Sequence, residues 1–175
     1  MTGTDEIGSV TGSPYVGSQI GYQESNTTYL APTSQSFIIL GSAGSSSLIN
    51  GWWVFDEQDS VGVDSILAKL NNGESVRIQT SGDISLGTSI TQSLGSGSYG
   101  QLAFDADGDI TLGQTIDIGA SFDVSGATIN VTSPLSSGAL SISATDLTVA
   151  ESINTSTLNS SITLSARTDL ILGSG

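Results

Sequence analysis

The chain has 175 residues, 37% hydrophobic and only 11% charged, with 17 acidic side chains against three basic ones and a formal charge of −14. That length allows one domain with a real core. The composition is too poor in helix formers for a helical protein and too acidic to bind nucleic acid or an anionic membrane. Cysteine and histidine are both absent, which excludes disulfides, thiolate metal sites and nucleophile–histidine dyads.

Residues 1–35 are rich in Gly, Ser and Thr, with Tyr15, Tyr22 and Tyr29 spaced seven apart. Gly and Pro interruptions exclude a heptad helix, so this stretch is expected to be an irregular leading segment or linker, or a tyrosine-edged cap. A β-solenoid domain is expected over 36–175, with clear repeats from residue 76. Phe37–Leu40 and Trp52–Phe55 read as strands, joined by a Gly/Ser-rich connection in which Leu48 and Ile49 are expected to tuck inward. On a strand, Trp52 and Trp53 point opposite ways, one into the core and the other outward or over an end of the coil. Asp56–Asp64 reads as an acidic, solvated turn. One short helix is expected near 65–71, with Asp64 or Ser65 as cap, an apolar face of Ile66, Leu67 and Leu70, and a stop at Asn71-Asn72-Gly73.

From Val76 a pattern repeats. Val76-Arg-Ile-Gln-Thr-Ser-Gly-Asp83-Ile84-Ser-Leu86 returns as Leu102-Ala-Phe-Asp-Ala-Asp-Gly-Asp109-Ile110-Thr-Leu112. Looser copies run over Phe122–Val131, Leu140–Val149 and Ile162–Leu172. Each copy is two short strands around a small-residue turn, and its anchors Ile84, Ile110, Ile129, Leu147 and Leu170 lie 26, 19, 18 and 23 positions apart. Alternation sets Val76, Ile78, Leu86, Ile90, Leu102, Phe104 and their counterparts on an inward face. Gly95–Gly100 and Ser133–Gly138 absorb the variation in length as loops. A hairpin sandwich has no need of self-similarity at this period, whereas stacked coils do. The predicted fold is all-β, a right-handed parallel β-helix with coils of about 18–26 residues.

The string Ile66–Leu86, with Trp52–Phe55 upstream and Gly-Asp-Ile at 82–84 and 108–110, resembles the repeat region of large filamentous haemagglutinin-type exoproteins exported by two-partner secretion. The resemblance covers roughly residues 52–173. It implies a β-helix stalk lying downstream of the family's Asn-Pro-Asn-bearing secretion domain, a motif lacking here, and it brings no catalytic residues.

Acid–base chemistry would have to rest on carboxylates. Asp105, Asp107 and Asp109 alternate onto one outward face, yet few basic or aromatic residues stand near to hold a sugar for cleavage. Asp105-x-Asp107-Gly108-Asp109 resembles half of a calcium loop without its bidentate Glu. Asp83 is expected one coil from Asp109, with Asp146 and Asp169 at the same place further on. Like charges at strand spacing repel. Either these carboxylates accept backbone N–H bonds at the bend, or calcium bridges Asp83, Asp105, Asp107 and Asp109. No other cofactor is expected.

The functional expectation is a non-catalytic stalk segment of a secreted adhesin at the bacterial cell surface. Its partners would be neighbouring repeats of a longer parent chain, other copies end to end, or a host or cell-surface glycan, without nucleic acid or membrane insertion. The alternatives are a self-assembling filament or phage-fibre subunit joined head to tail, and a glycan-binding β-helix. With no secretory signal or membrane-spanning run legible, the chain is expected to be a cytosolic protein, a mature product or an excised piece of something longer, the last favoured by the Gly-Ser-Gly ending after a repeat strand.

Overall fold

A computed structural model describes residues 21–24, 27–30, 37–39, 44–92, 99–156 and 160–173. The chain divides into two compact units, Met1–Thr33 and Ser34–Gly175. In the first, β1 (Gly21–Glu24) and β2 (Thr27–Leu30) pair antiparallel, with Tyr22 and Tyr29 as register partners. A hairpin therefore stands where the composition suggested an irregular segment. Tyr15 and the rest of that stretch lie outside the described residues.

The second unit starts with short strands: β3 (Phe37–Ile39), β4 (Ser47–Ile49), β5 (Trp52–Asp56) and β6 (Ser60–Val61). Helix α1 follows (Val63–Asn71). It starts two residues before the expected position, and Gly62 rather than Asp64 or Ser65 is its N-cap, with no side-chain cap bond. The helix is held instead by burial of Val63, Ile66 and Leu70, because a helix this short has little stability of its own. Gly73, at φ +75°, ends it as the sequence suggests. The turn before the helix is more than a solvated loop: it contains β6, and Val61 is fully buried.

Coils then succeed one another. They comprise β7 (Ser75–Thr80), β8 (Ile84–Ser85) and β9 (Ile90–Thr91), then β10 (Gln101–Ala106), β11 (Ile110–Leu112) and β12 (Ile116–Asp117). In later coils the first two strands fuse into one long strand: β13 (Ser121–Val131) with β14 (Leu135–Ser137), β15 (Leu140–Val149) with β16 (Ile153–Thr155), and finally β17 (Ile162–Leu172). The result is a parallel β-solenoid of about 5 turns. Each complete coil has a third strand, one more than the two the repeat suggested, and it forms a separate ladder β9-β12-β14-β16. Part of the supposed Ser133–Gly138 loop is thus β14.

Register follows the sequence repeat. Ile84, Ile110, Ile129, Leu147 and Leu170 are successive partners in one inward column. Val76, Leu102, Phe122, Leu140 and Ile162 form another, giving coils of 26, 20, 18 and 22 residues. Ile90, Ile116, Leu135 and Ile153 form the third. Most members of these columns are buried in a single core. Phe104 and Phe122, neighbours on the first face, meet edge to face with centroids 5.0 Å apart, a favoured aromatic geometry.

The repeated Gly-Asp has a steric cause. A Cβ on Gly108 would collide with the Asp83 side chain and the Gly82 carbonyl of the neighbouring coil. The neighbouring coil leaves no room for a side chain at Gly108, although Ala127 takes the same place one coil further on.

The two ends of the solenoid differ. At the N-terminal end β4 pairs antiparallel with β5, and α1 packs on β7 and β9. Leu48 and Ile49 on β4 are 61% and 49% exposed, contrary to the inward expectation, because β4 is the outermost strand of its sheet among the described residues. At the other end β17 pairs with β15 alone among the described residues, and Ile162, Leu170 and Leu172 are exposed although their register places them in the inward columns.

Candidate functional site

The corner between the first and second faces gathers many of the acidic side chains. Asp83 Oδ1 accepts the Asp109 N–H at 2.8 Å, and Asp109 Oδ1 accepts the Thr128 N–H at 3.2 Å. Glu57 does the same one coil earlier, accepting the Ser81 N–H at 2.6 Å and the Thr80 hydroxyl at 3.0 Å. Each carboxylate ties its own coil to the next with a charge-assisted hydrogen bond, stronger than a neutral one. The acidic column is also interrupted. Thr128 stands between Asp109 and Asp146, while Asp83 neighbours Asp109 and Asp146 neighbours Asp169.

The four residues considered for calcium are therefore not brought to one point. Asp83 and Asp109 are engaged with backbone, while Asp105 and Asp107 line a separate hollow with Asp56, Glu57 and Gln79. Among the described residues no group of three or more acidic side chains is placed to hold a metal ion. Asp105 lies on β10 and Asp107 just past its end, whereas Asp109 lies beyond the corner, next to β11.

The side-chain arrangement best suited to a ligand lies on the outside of the first face. Trp52, Arg77, Asp105, Asp123 and Ser125 line a groove of about 210 Å³. Trp52 and Arg77 also border a second hollow, beside Ile49 and Asn50. Strand alternation produces this groove: Arg77, Ala103, Asp123 and Ser141 are successive register partners on β7, β10, β13 and β15. The Arg77 guanidinium carbon lies 4.9 Å from the Trp52 ring centroid, and its buried Nε has no hydrogen-bond partner. Trp53 points the other way, packs against the core and carries the Lys69 ammonium 3.3 Å above its ring. Both tryptophans are half-buried, so the division into one core and one exposed ring becomes one inner and one outer cation–π pair. An outer aromatic flanked by a guanidinium, carboxylates and hydroxyls offers a stacking surface with donors and acceptors around it.

Sequence reasoning missed a buried polar anchor. Gln92, 2% exposed, donates to Asn71 Oδ1 on the helix and accepts the Gly119 N–H, both at 3.0 Å. A glutamine just past a two-residue strand carries no pattern that would reveal this.

The fold defines the chain's class as a parallel β-solenoid with one short helix. Comparison with known protein families, curated proteins and solved structures finds no match.

Proposed function

We propose that the solenoid is a non-catalytic stalk segment of a secreted adhesin or related exoprotein at a bacterial cell surface. The observation that carries this reading is the continuity of the three in-register ladders. Such a stack sets surfaces a fixed distance apart, with each coil adding one strand spacing. The acidic exterior keeps the stalk soluble and away from anionic headgroups. Neighbouring repeats of a parent chain are its natural partners, and no cofactor enters the reading. Surface labelling of intact producing cells with an antibody to the solenoid tests it. Labelling equal to that of permeabilised cells is expected, and labelling that appears only after permeabilisation would contradict it.

The groove at Trp52 favours a second reading, capture of a neutral glycan. The ring can stack on a sugar face, Arg77 can donate, and Asp105 and Asp123 can accept from hydroxyls. Titration with neutral hexasaccharides of glucose and of mannose should shift the tryptophan emission saturably, and Trp52→Ala should abolish binding measured by calorimetry. Absence of binding to both sugars, or binding unaffected by the substitution, counts against this reading.

A further inference from the structure

We propose that the glycan taken by the Trp52 groove is an extended neutral chain that crosses the strands of the first face and runs along the solenoid. This inference rests on the glycan reading and adds to it the length and direction of the ligand.

The continuity of three hollows carries the argument. The groove shares Trp52 and Arg77 with the hollow beside Ile49 and Asn50. It shares Ser125 and Ser143 with a third hollow of about 370 Å³, whose far side is formed by Ser165 and Arg167. The three form one trough. Its walls come in turn from β5, β7, β10, β13, β15 and β17, which are neighbours in that order in one sheet. Five strand steps separate Trp52 from Ser165, about 24 Å at the spacing of paired strands. A span of that length accepts several sugar rings end to end.

Register explains the shape. Ala103 turns outward between the inward Leu102 and Phe104, yet is only 6% exposed. Its short side chain makes a floor between its register partners Arg77 and Asp123. Further along, Ser125, Ser143 and Ser165 are successive partners in one outward row. A row of hydroxyls at strand spacing repeats the same donors and acceptors, which suits a polymer of like units. Trp52 stacks on the ring at one end, and the serines meet the rings that follow.

Charge narrows the class. Only three side chains in the protein are basic, and two of them, Arg77 and Arg167, line this trough against Asp105 and Asp123. An acidic hollow holding Asp56 and Glu57 joins it sideways at Asp105 and turns polyanions away. Hydroxyls accept from a guanidinium and donate to a carboxylate, so a neutral chain satisfies both. The buried, unpartnered Nε of Arg77 is one donor such a chain would satisfy.

Calorimetry on the whole chain, with oligomers of β-linked glucose and of β-linked mannose from two to six units, tests the inference. For a sugar that binds, affinity should rise at least ~10-fold from dimer to hexamer, a gain of about 1.4 kcal/mol. Ser165→Phe and Ser143→Phe should each bring the hexamer down to the affinity of the dimer. Thr111→Arg, on the second face, should leave hexamer binding as it is. If one phenylalanine variant fails to fold, the other decides. Equal affinity for dimer and hexamer, or hexamer binding that ignores the phenylalanines, overturns the extended chain, while loss of that binding in Trp52→Ala keeps the glycan reading standing. Tighter binding of a charged glucosamine hexamer overturns the neutral class. Absence of binding at every length, for both sugars, removes the glycan reading and this inference with it.

Discussion

Ile110→Asp unfolds the solenoid, whereas Thr111→Asp, one residue away, leaves its stability within about 0.5 kcal/mol of the parent. Ile110 is fully buried and stacked between Ile84 and Ile129, while Thr111 is exposed on the outer surface of the same strand. A carboxylate at position 110 would be enclosed by apolar side chains with no cation near enough to pair with it. Such a group either remains charged at great cost or takes up a proton at a smaller one. The expected loss is about 4–5 kcal/mol or more, comparable to the whole stability of a typical domain. Thermal melts of the two variants check it. Equal midpoints would show that inward and outward positions on this strand had been confused.

Phe122→Ala lowers stability by about 3–5 kcal/mol. Phe122 is fully buried, its register partners are Leu102 and Leu140, and its ring meets Phe104 edge to face. Truncation removes the buried ring and leaves a cavity that the rigid ladders above and below cannot close. Urea denaturation should show a lower midpoint with an unchanged slope, because the surface exposed on unfolding is nearly the same. A loss below about 1 kcal/mol would mean that the site relaxes freely, against close packing of the columns.

The solenoid was legible because stacking imposes self-similarity. Ile84, Ile110, Ile129, Leu147 and Leu170 occupy one place in the sequence repeat and one column in space. The third face was harder to see. Its strands are two or three residues long, too short for alternation to emerge from Ser/Gly-rich sequence. The N-terminal strands escaped because they break the repeat: β4 runs antiparallel, and Leu48 and Ile49 are both exposed on an edge where local hydrophobicity alone suggests burial.

The acidic residues show a different limit. Backbone N–H capture was one of two readings of Asp83 and Asp109, and the spacing could not choose between it and a cation. The choice depends on which amide each oxygen meets on the next coil, and that is fixed by coil-to-coil register. The groove at Trp52 was half visible. Alternation puts one of Trp52 and Trp53 outward without saying which, and Arg77, Asp105 and Asp123 come from three separate coils, with no linear motif to link them.

The central claim is the parallel, in-register stacking of successive coils, and a cysteine-pair experiment tests it most directly. Ser85 and Thr111 are register partners on the outer surface of the second face, and adjacent strands bring such partners within disulfide reach. Antiparallel pairing of Val76–Leu86 with Leu102–Leu112 would instead set Thr111 opposite Arg77. Oxidation should close an intramolecular disulfide in Ser85→Cys/Thr111→Cys and none in Arg77→Cys/Thr111→Cys. The reverse result would contradict the solenoid.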